Sequence, residues 1–280
     1  MRDLGTREPE PVVMVIPHSH MFSVRNFATA ATQRCVRVMH YHLRVTMGAV
    51  GEYALDRLDY RPQLIVLPSP RILTEAAWRR LLQLVRDGAT LLVTGPIDSD
   101  EHWLPVERLE RFGVQATVRP VAQEEHLAIG NMVYRLSYRG DKFQRLEKSV
   151  RAPAEPARVA EFREGTGRVI WSPLPVELAE GIAPTAVLYR DALAAAGVEP
   201  LFDMERPDPG VLVYPAVYRE AVLYGIVSEL GSATDVRLTH AETGTELEFD
   251  LAPGRAALAL LGRNDGRILG RYAPAARSRG

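Results

Sequence analysis

The sequence predicts an α/β fold with a mainly parallel sheet, followed by a small all-β module. Three observations carry this expectation. Continuous apolar runs at 12–17, 63–70 and 90–96 each stop at proline, as strands buried on both faces do. Between them lie segments with apolar residues at helical spacing. Beyond about residue 200 the chain changes to short alternating stretches separated by Gly, Pro and polar turns.

The first strand, VVMVIP at 12–17, leads into a helix that Ser23 or Asn26 can cap, with Phe27, Ala31, Cys35, Val38, Met39 and His42 recurring up to about Arg44. On that face Cys35 reads as a small core residue. The second strand, QLIVLPSP at 63–70, precedes a helix capped by Thr74. Its Trp78, Leu81, Leu82 and Val85 share one face, and Gly88 follows as the left-handed C-terminal residue. The third strand, TLLVTGP at 90–96, completes two right-handed crossovers. A short helix is expected over 105–112, closed by Gly113.

Residues 114–121, 132–138 and 158–162 alternate like half-exposed antiparallel strands, and EGTG at 164–167 turns into the strand RVIW at 168–171. A helix starting at Pro184 places Ala186, Tyr189, Leu193 and Ala196 on one face and ends at Gly197. The expected boundaries are a linker-like N-terminus at 1–11, an α/β domain at 12–198, a linker at 199–210, an all-β sandwich domain at 211–272 and a frayed tail at 273–280.

Composition limits the function. The chain has 280 residues, 34 Lys+Arg against 35 Asp+Glu and a net charge of -1. That balance gives no footprint for nucleic acid or an anionic membrane. A single cysteine supplies neither an internal disulfide nor a cysteine-rich zinc site. No apolar run approaches the roughly 20 residues of a membrane span, and the charged, proline-bearing start lacks a signal-peptide core. A soluble cytoplasmic chain is expected, without nucleic-acid or membrane partners. A (β/α)8 barrel needs about 250 residues by itself, so 280 residues cannot hold one plus further domains.

Two long segments, VMVIPHSHMFSVRNFATAATQRCVRVMHYHLRV at 13–45 and QLIVLPSPRILTEAAWRRLLQLVRDGATLLVTGPI at 63–97, resemble the trimerisation domain of family 42 glycoside hydrolases, the β-galactosidase group. TGTELEFDLAPGRAA at 243–257 resembles the small β domain that ends those enzymes. The resemblance implies a flavodoxin-like domain, on a scaffold similar to class I glutamine amidotransferases, and then a β domain. In the family both follow a barrel with two catalytic glutamates. No residue here matches those catalytic motifs. The resemblance therefore implies a non-catalytic accessory region in carbohydrate metabolism. Its expected partners are copies of itself, as a trimer, or a barrel-bearing glycosidase chain. An autonomous hydrolase using a crevice carboxylate, or a carbohydrate-binding module, are the alternatives.

Glutaminase chemistry needs a cysteine on a tight strand-to-helix turn with a histidine and an acid. Here that turn reads Thr94-Gly95-Pro96, and the later acid position reads WSPLPVE at 171–177, where Glu177 corresponds but the histidine is missing. The acidic clusters Asp98-Asp100-Glu101 and Glu177-Glu180 are expected to be solvated loop charge. His18 and His20 fall at the end of the first strand, too few to make a zinc site. They either hydrogen-bond loop backbone or line the crevice at the carboxyl end of the sheet, where open α/β sheets bind ligands. His18, His20, Ser69, Arg71, Asp98, His102 and Trp103 are the candidate crevice residues, with Trp103 either a sugar platform or a packing or interface residue. The first strand ends in Pro17-His18-Ser19-His20 rather than a glycine-rich phosphate loop, so nucleotide is disfavoured. No catalytic residue, metal or cofactor is expected.

Overall fold

The computed structural model describes residues 4–22, 27–114, 117–138, 148–151 and 156–273. Their contacts divide the chain into two compact units. An α/β unit comprises Pro11–Val38 and Met47–Val198, and a β unit comprises Met1–Glu10, Met39–Thr46 and Glu199–Gly280.

In the α/β unit, β1 (Val12–Ile16), β2 (Gly48–Gly51), β3 (Leu64–Leu67), β4 (Thr90–Thr94), β10 (Ala160–Glu164) and β11 (Gly167–Ser172) form one sheet in the order β10-β11-β4-β3-β1-β2. Every pairing is parallel except β10 with β11. The register aligns Val13, Ile65, Leu91 and Val169 across four strands. Side chains alternate between faces along each strand. Ile65, Leu67, Leu91, Val93, Val169 and Trp171 therefore share one face, where they cluster with Trp78, Leu81, Leu82 and Val85 of α3 (Glu75–Arg86). Burying each such aliphatic side chain contributes about 1.5–3 kcal/mol. α1 (His18–Met21) and α2 (Ala28–Arg37) lie between β1 and β2, and α4 (Ala183–Ala196) follows β11 and packs against β3 and β4 through the opposite face.

Local chemistry sets the ends of these helices. The Thr74 hydroxyl accepts the Ala77 N–H at 3.1 Å, which satisfies one otherwise unpaired donor of α3. Gly88 past α3 has φ +108° and Gly197 past α4 has φ +69°, a region that side chains resist. Between β4 and β10 the chain makes two small sheets: β5 (Thr117–Pro120) with β8 (Lys148–Arg151), and β6 (Glu124–Ile129) between β7 (Met132–Ser137) and β9 (Ala157–Arg158).

The β unit is a sandwich of two sheets. β12 (Phe202–Met204), β15 (Thr234–His240) and β16 (Glu246–Leu251) form one; β13 (Val211–Val217), β14 (Ala221–Ser228), β17 (Ala256–Gly262) and β18 (Ile268–Tyr272) form the other. Their inner faces share one core, including Phe202, Val213, Tyr224, Ile226, Leu238, Phe249 and Ala259. The outward faces differ. β15 and β16 expose Asp235, Arg237, Glu246, Glu248 and Asp250, whereas outward positions of β13, β14 and β17 are Leu212, Tyr214, Leu223, Val227, Leu258 and Leu260. Part of that apolar face is met by the segment Met39–Thr46, where His40 stacks on Tyr214 with ring centroids 5.6 Å apart.

Several expectations are corrected. The supposed linker at 199–210 contains β12, because Phe202 and Met204 have an apolar core to enter despite the acidic and proline-rich surroundings. The linker-like start is tied down: the Glu8 N–H donates to the Val217 carbonyl at 2.8 Å, and Arg7 bridges to Tyr218. The helix expected over 105–112 shrinks to a 3-10 turn at Glu110–Phe112, since Pro105 instead pairs with Ser99. The first long helix ends at Arg37 and continues as a π-helical turn, Val38–His42. In α4 the buried residues are Pro184, Thr185, Leu188, Tyr189, Ala192 and Leu193: Tyr189 and Leu193 of the expected stripe are buried, while Ala186 and Ala196 are only half-buried and Thr185, Leu188 and Ala192 join the face instead. β2, which no apolar run announced, is a half-buried four-residue edge strand with two glycines. The proposed caps Ser23 and Asn26, and the tail from residue 274, lie outside the described residues.

Candidate functional site

The candidate residues follow β1, β3 and β4 at the carboxyl edge of the sheet. Proline stops β1 and β3, which turns the chain out of the sheet and leaves polar residues at the rim. These residues fall into three local groups.

The first group is buried and centred on Glu177, one residue into the 3-10 turn Val176–Leu178. Its side chain is sealed, with the residue 1% exposed. The Thr94 hydroxyl donates to Glu177 Oε2 at 2.6 Å, the Ser69 hydroxyl to the same oxygen at 2.9 Å, and the Tyr189 hydroxyl to Oε1 at 2.6 Å. Thr94 Oγ1 also accepts the Ser69 N–H at 2.9 Å, which orients its proton toward the carboxylate. Burial pushes the Glu177 pKa up, while the hydroxyl donors pull it down. No ion pair to Glu177 occurs among the described residues. The expectation of solvated loop charge is wrong for Glu177. Its neighbours Pro175, Val176 and Leu178 are the apolar sequence signal that could have shown this.

Ser69 reaches Glu177 because its backbone is left-handed, with φ +45°, a strained state for a non-glycine residue. His20, 3% exposed, lies beside the Ser69 backbone; burial and the nearby Arg71 charge push its pKa down to about 4. The Ser69 hydroxyl points to the acid rather than to an imidazole, so no nucleophile-base pair forms. Gly95, at the turn after β4, has φ +69°, and a Cβ there would lie 3.3 Å from Pro175. That turn reads Thr94-Gly95-Pro96 and runs into a loop, with no cysteine or serine on it. Cys35 is fully buried, burial pushes its thiol pKa up, and its Sγ lies 3.9 Å from Met47 Sδ.

The second group lies between α1 and the 3-10 turn Glu52–Arg57. The Ser19 N–H donates to Glu52 Oε1 at 2.6 Å, the Ser19 hydroxyl bonds the same oxygen, and the Thr74 N–H reaches Oε2 at 3.4 Å. Glu52 is 3% exposed, a buried acid that sequence reasoning missed. His18 stacks on Tyr53 at 6.1 Å and lies over Gly51, where any Cβ would strike its ring.

The third group is the loop after β4. Arg71 Nε and Asp98 Oδ1 pair at 3.2 Å. Asp100 Oδ1 accepts the N–H groups of His102 and Leu104, both at 2.9 Å, closing a tight turn that holds Trp103 at φ +65° with half its surface exposed. Arg108, buried, ties this loop down by donating to the Ile97, Ser99 and Leu73 carbonyls.

The structure thus brings His20 beside Ser69 and near Arg71, pairs Arg71 with Asp98, holds His102 and Trp103 in the one turn closed by Asp100, and leaves His18 apart, against Tyr53. Two cavities of about 420 and 410 Å³ belong to the β unit. One is lined by residues including Glu205, Asp208 and Arg237, the other by residues including Glu220 and Arg263.

Among the described residues the protein is an open α/β sheet unit plus a β-sandwich unit, a class defined by scaffold rather than by a convergent catalytic set. That scaffold is the fold found in part of the GH42 β-galactosidases. The chain is similar to the β-galactosidase from Bacillus circulans sp. alkalophilus, with TM-score 0.65 and 12% identity over 90% of this chain and 41% of that one. It is similar to a catalytic mutant of Gan42B, a GH42 β-galactosidase from G. stearothermophilus, with TM-score 0.63 and 14% identity over 92% and 41%. The β-galactosidase of the Antarctic haloarchaeon Halorubrum lacusprofundi gives TM-score 0.57 and 16% identity over 95% and 41%. The chain spans about two fifths of the length of these structures. No family model and no curated protein matches its sequence.

Proposed function

We propose that this chain is a non-catalytic oligomerisation and accessory region of a β-galactosidase-like glycoside hydrolase, with the barrel and its catalytic glutamates on another polypeptide or on the remainder of a longer one. The observation that carries this reading is a scaffold shared with 41% of each relative, in a chain whose buried acids are already engaged. A retaining glycosidase needs two carboxyl groups facing the substrate about 5 Å apart. Glu177 and Glu52 instead accept hydrogen bonds from the protein's own hydroxyl and N–H groups. The strand order β2-β1-β3-β4-β11 supports the finer, flavodoxin-like reading of the α/β unit, since the flavodoxin order is 2-1-3-4-5.

The test is sedimentation velocity of the purified chain, alone and with a GH42-type barrel polypeptide, alongside a galactoside hydrolysis assay. A homo-oligomer or a heteromeric complex without turnover by the chain alone supports the reading. A strict monomer at tens of micromolar that binds no barrel, or turnover abolished by Asp98→Ala, overturns it. The exposed Trp103 favours a second reading, carbohydrate binding without turnover, which predicts a change in tryptophan fluorescence on titration with galactose or lactose that Trp103→Phe removes.

A further inference from the structure

His240 closes the inward row Val236, Leu238, His240 on β15 and is fully buried. Its Nδ1 lies 2.7 Å from the Tyr224 hydroxyl on β14, in the facing sheet, and the two rings meet edge to face at 5.9 Å. Tyr224 also meets Phe202 edge to face at 5.9 Å, and its hydroxyl lies 3.3 Å from the Leu201 carbonyl. His240 pairs directly with Phe202 in the ladder between β15 and β12. One imidazole thus joins both sheets to a three-residue edge strand at the point where the chain enters this part of the sandwich.

We propose that His240 is an acid-sensitive latch on β12: as a neutral ring it seals the strand into the sandwich, and its protonation releases the strand. The titratable groups around the ring are Tyr224 on β14 and Glu242 in the turn after β15; β12 and its preceding residue bring the Phe202 ring and the Leu201 carbonyl. A buried imidazolium would carry a second N–H at Nε2, which has no hydrogen-bond partner among the described residues. Burial accordingly holds the His240 pKa below its ordinary value, with Glu242 and the Leu201 carbonyl opposing. The opened form binds the proton more readily than the closed form, so opening grows as pH falls below about 6.5. β12 is the element that yields, because a three-residue edge strand opens locally at lower cost than the rest of the sheet.

Amide hydrogen exchange on the full chain tests this, with rates corrected for the intrinsic pH dependence of exchange. The Ala241 N–H, bonded to the Leu201 carbonyl at 2.9 Å, and the Glu205 N–H, bonded to the Arg237 carbonyl, report on β12. Between pH 7.5 and 5.0 their protection should fall about tenfold or more, while amides of the β13–β14 ladder hold theirs. In His240→Phe the pH dependence should vanish. Equal protection at both pH values, or a pH dependence that survives in the variant, overturns the latch. If the variant does not fold, NMR titration of the wild-type ring decides: a midpoint well below 6.5 with β12 amides shifting in parallel supports the latch, and a midpoint at or above 6.5 overturns it.

Discussion

At Glu177 three hydroxyl groups do what a cation usually does for a buried carboxylate. Hydrogen bonds to charged groups contribute about 1.5–3 kcal/mol each, so Tyr189→Phe should cost about that much at pH 7.5. Its pH dependence is the more specific readout. The folded-state pKa of Glu177 is raised, so the native protein holds this proton more tightly than the unfolded chain, and stability declines as pH rises through that window. Removing a donor to the carboxylate raises the pKa further. Urea denaturation should therefore show the Tyr189→Phe penalty shrinking between pH 7.5 and 5; equal penalties at both would mean that Glu177 is already protonated. His20 runs in the opposite direction. With a folded pKa of about 4 against about 6.5 unfolded, it contributes stability that is present above pH 6.5 and lost toward pH 4, and His20→Gln should remove that part of the acid sensitivity. The sequence placed both residues near the end of the sheet, but not their burial. A Glu after two prolines reads as loop charge until the hydroxyl donors, which come from positions 69, 94 and 189, are brought to it by the fold.

Elements were legible where burial on one face dominates local propensity. α3 was readable from cap to C-terminal glycine because Thr74, the apolar stripe and Gly88 all agree. β2 and β12 were not, because Gly48–Gly51 and Phe202–Met204 are short edge strands whose pairing partners, β1 and β15, are distant in sequence. Close approach leaves a sharper mark. A Cβ on Gly167 would lie 2.2 Å from the Ala89 and Val85 carbonyl oxygens, at the entry of β11 beside the end of α3. Both obstructing atoms are backbone, so neither can swing away. Gly167→Ala should destabilise by about 1–3 kcal/mol, whereas Gly181→Ala, with open space around its Cβ, should be close to neutral. Chemical denaturation of the two variants side by side checks this, and equal midpoints would contradict the packing argument.

For the whole molecule, the break in sequence character near residue 199 is not where the β unit is complete. That unit also needs residues from two earlier stretches of chain. Glu10 accepts a bond from the Tyr214 hydroxyl at 3.1 Å, and Arg263 pairs with Glu8. Tyr41 donates to Glu229 at 2.8 Å, and Arg44 pairs with Asp203 at 2.9 Å. Exposed ion pairs of this kind add little individually. The larger effect is apolar: without the Met39–Thr46 segment, Tyr214 loses the His40 ring from a sheet face that has no charge at its outward positions on β13, β14 and β17. A fragment of residues 199–280 should therefore bind a hydrophobic dye and melt below the β-sandwich transition of the full chain, and a peptide of residues 36–47 added in trans should reduce the dye signal. Calorimetry with dye titration separates the outcomes: a fragment that unfolds cooperatively at the full-chain temperature and ignores the peptide would show that the sandwich is self-sufficient and that the sequence boundary was also the folding boundary.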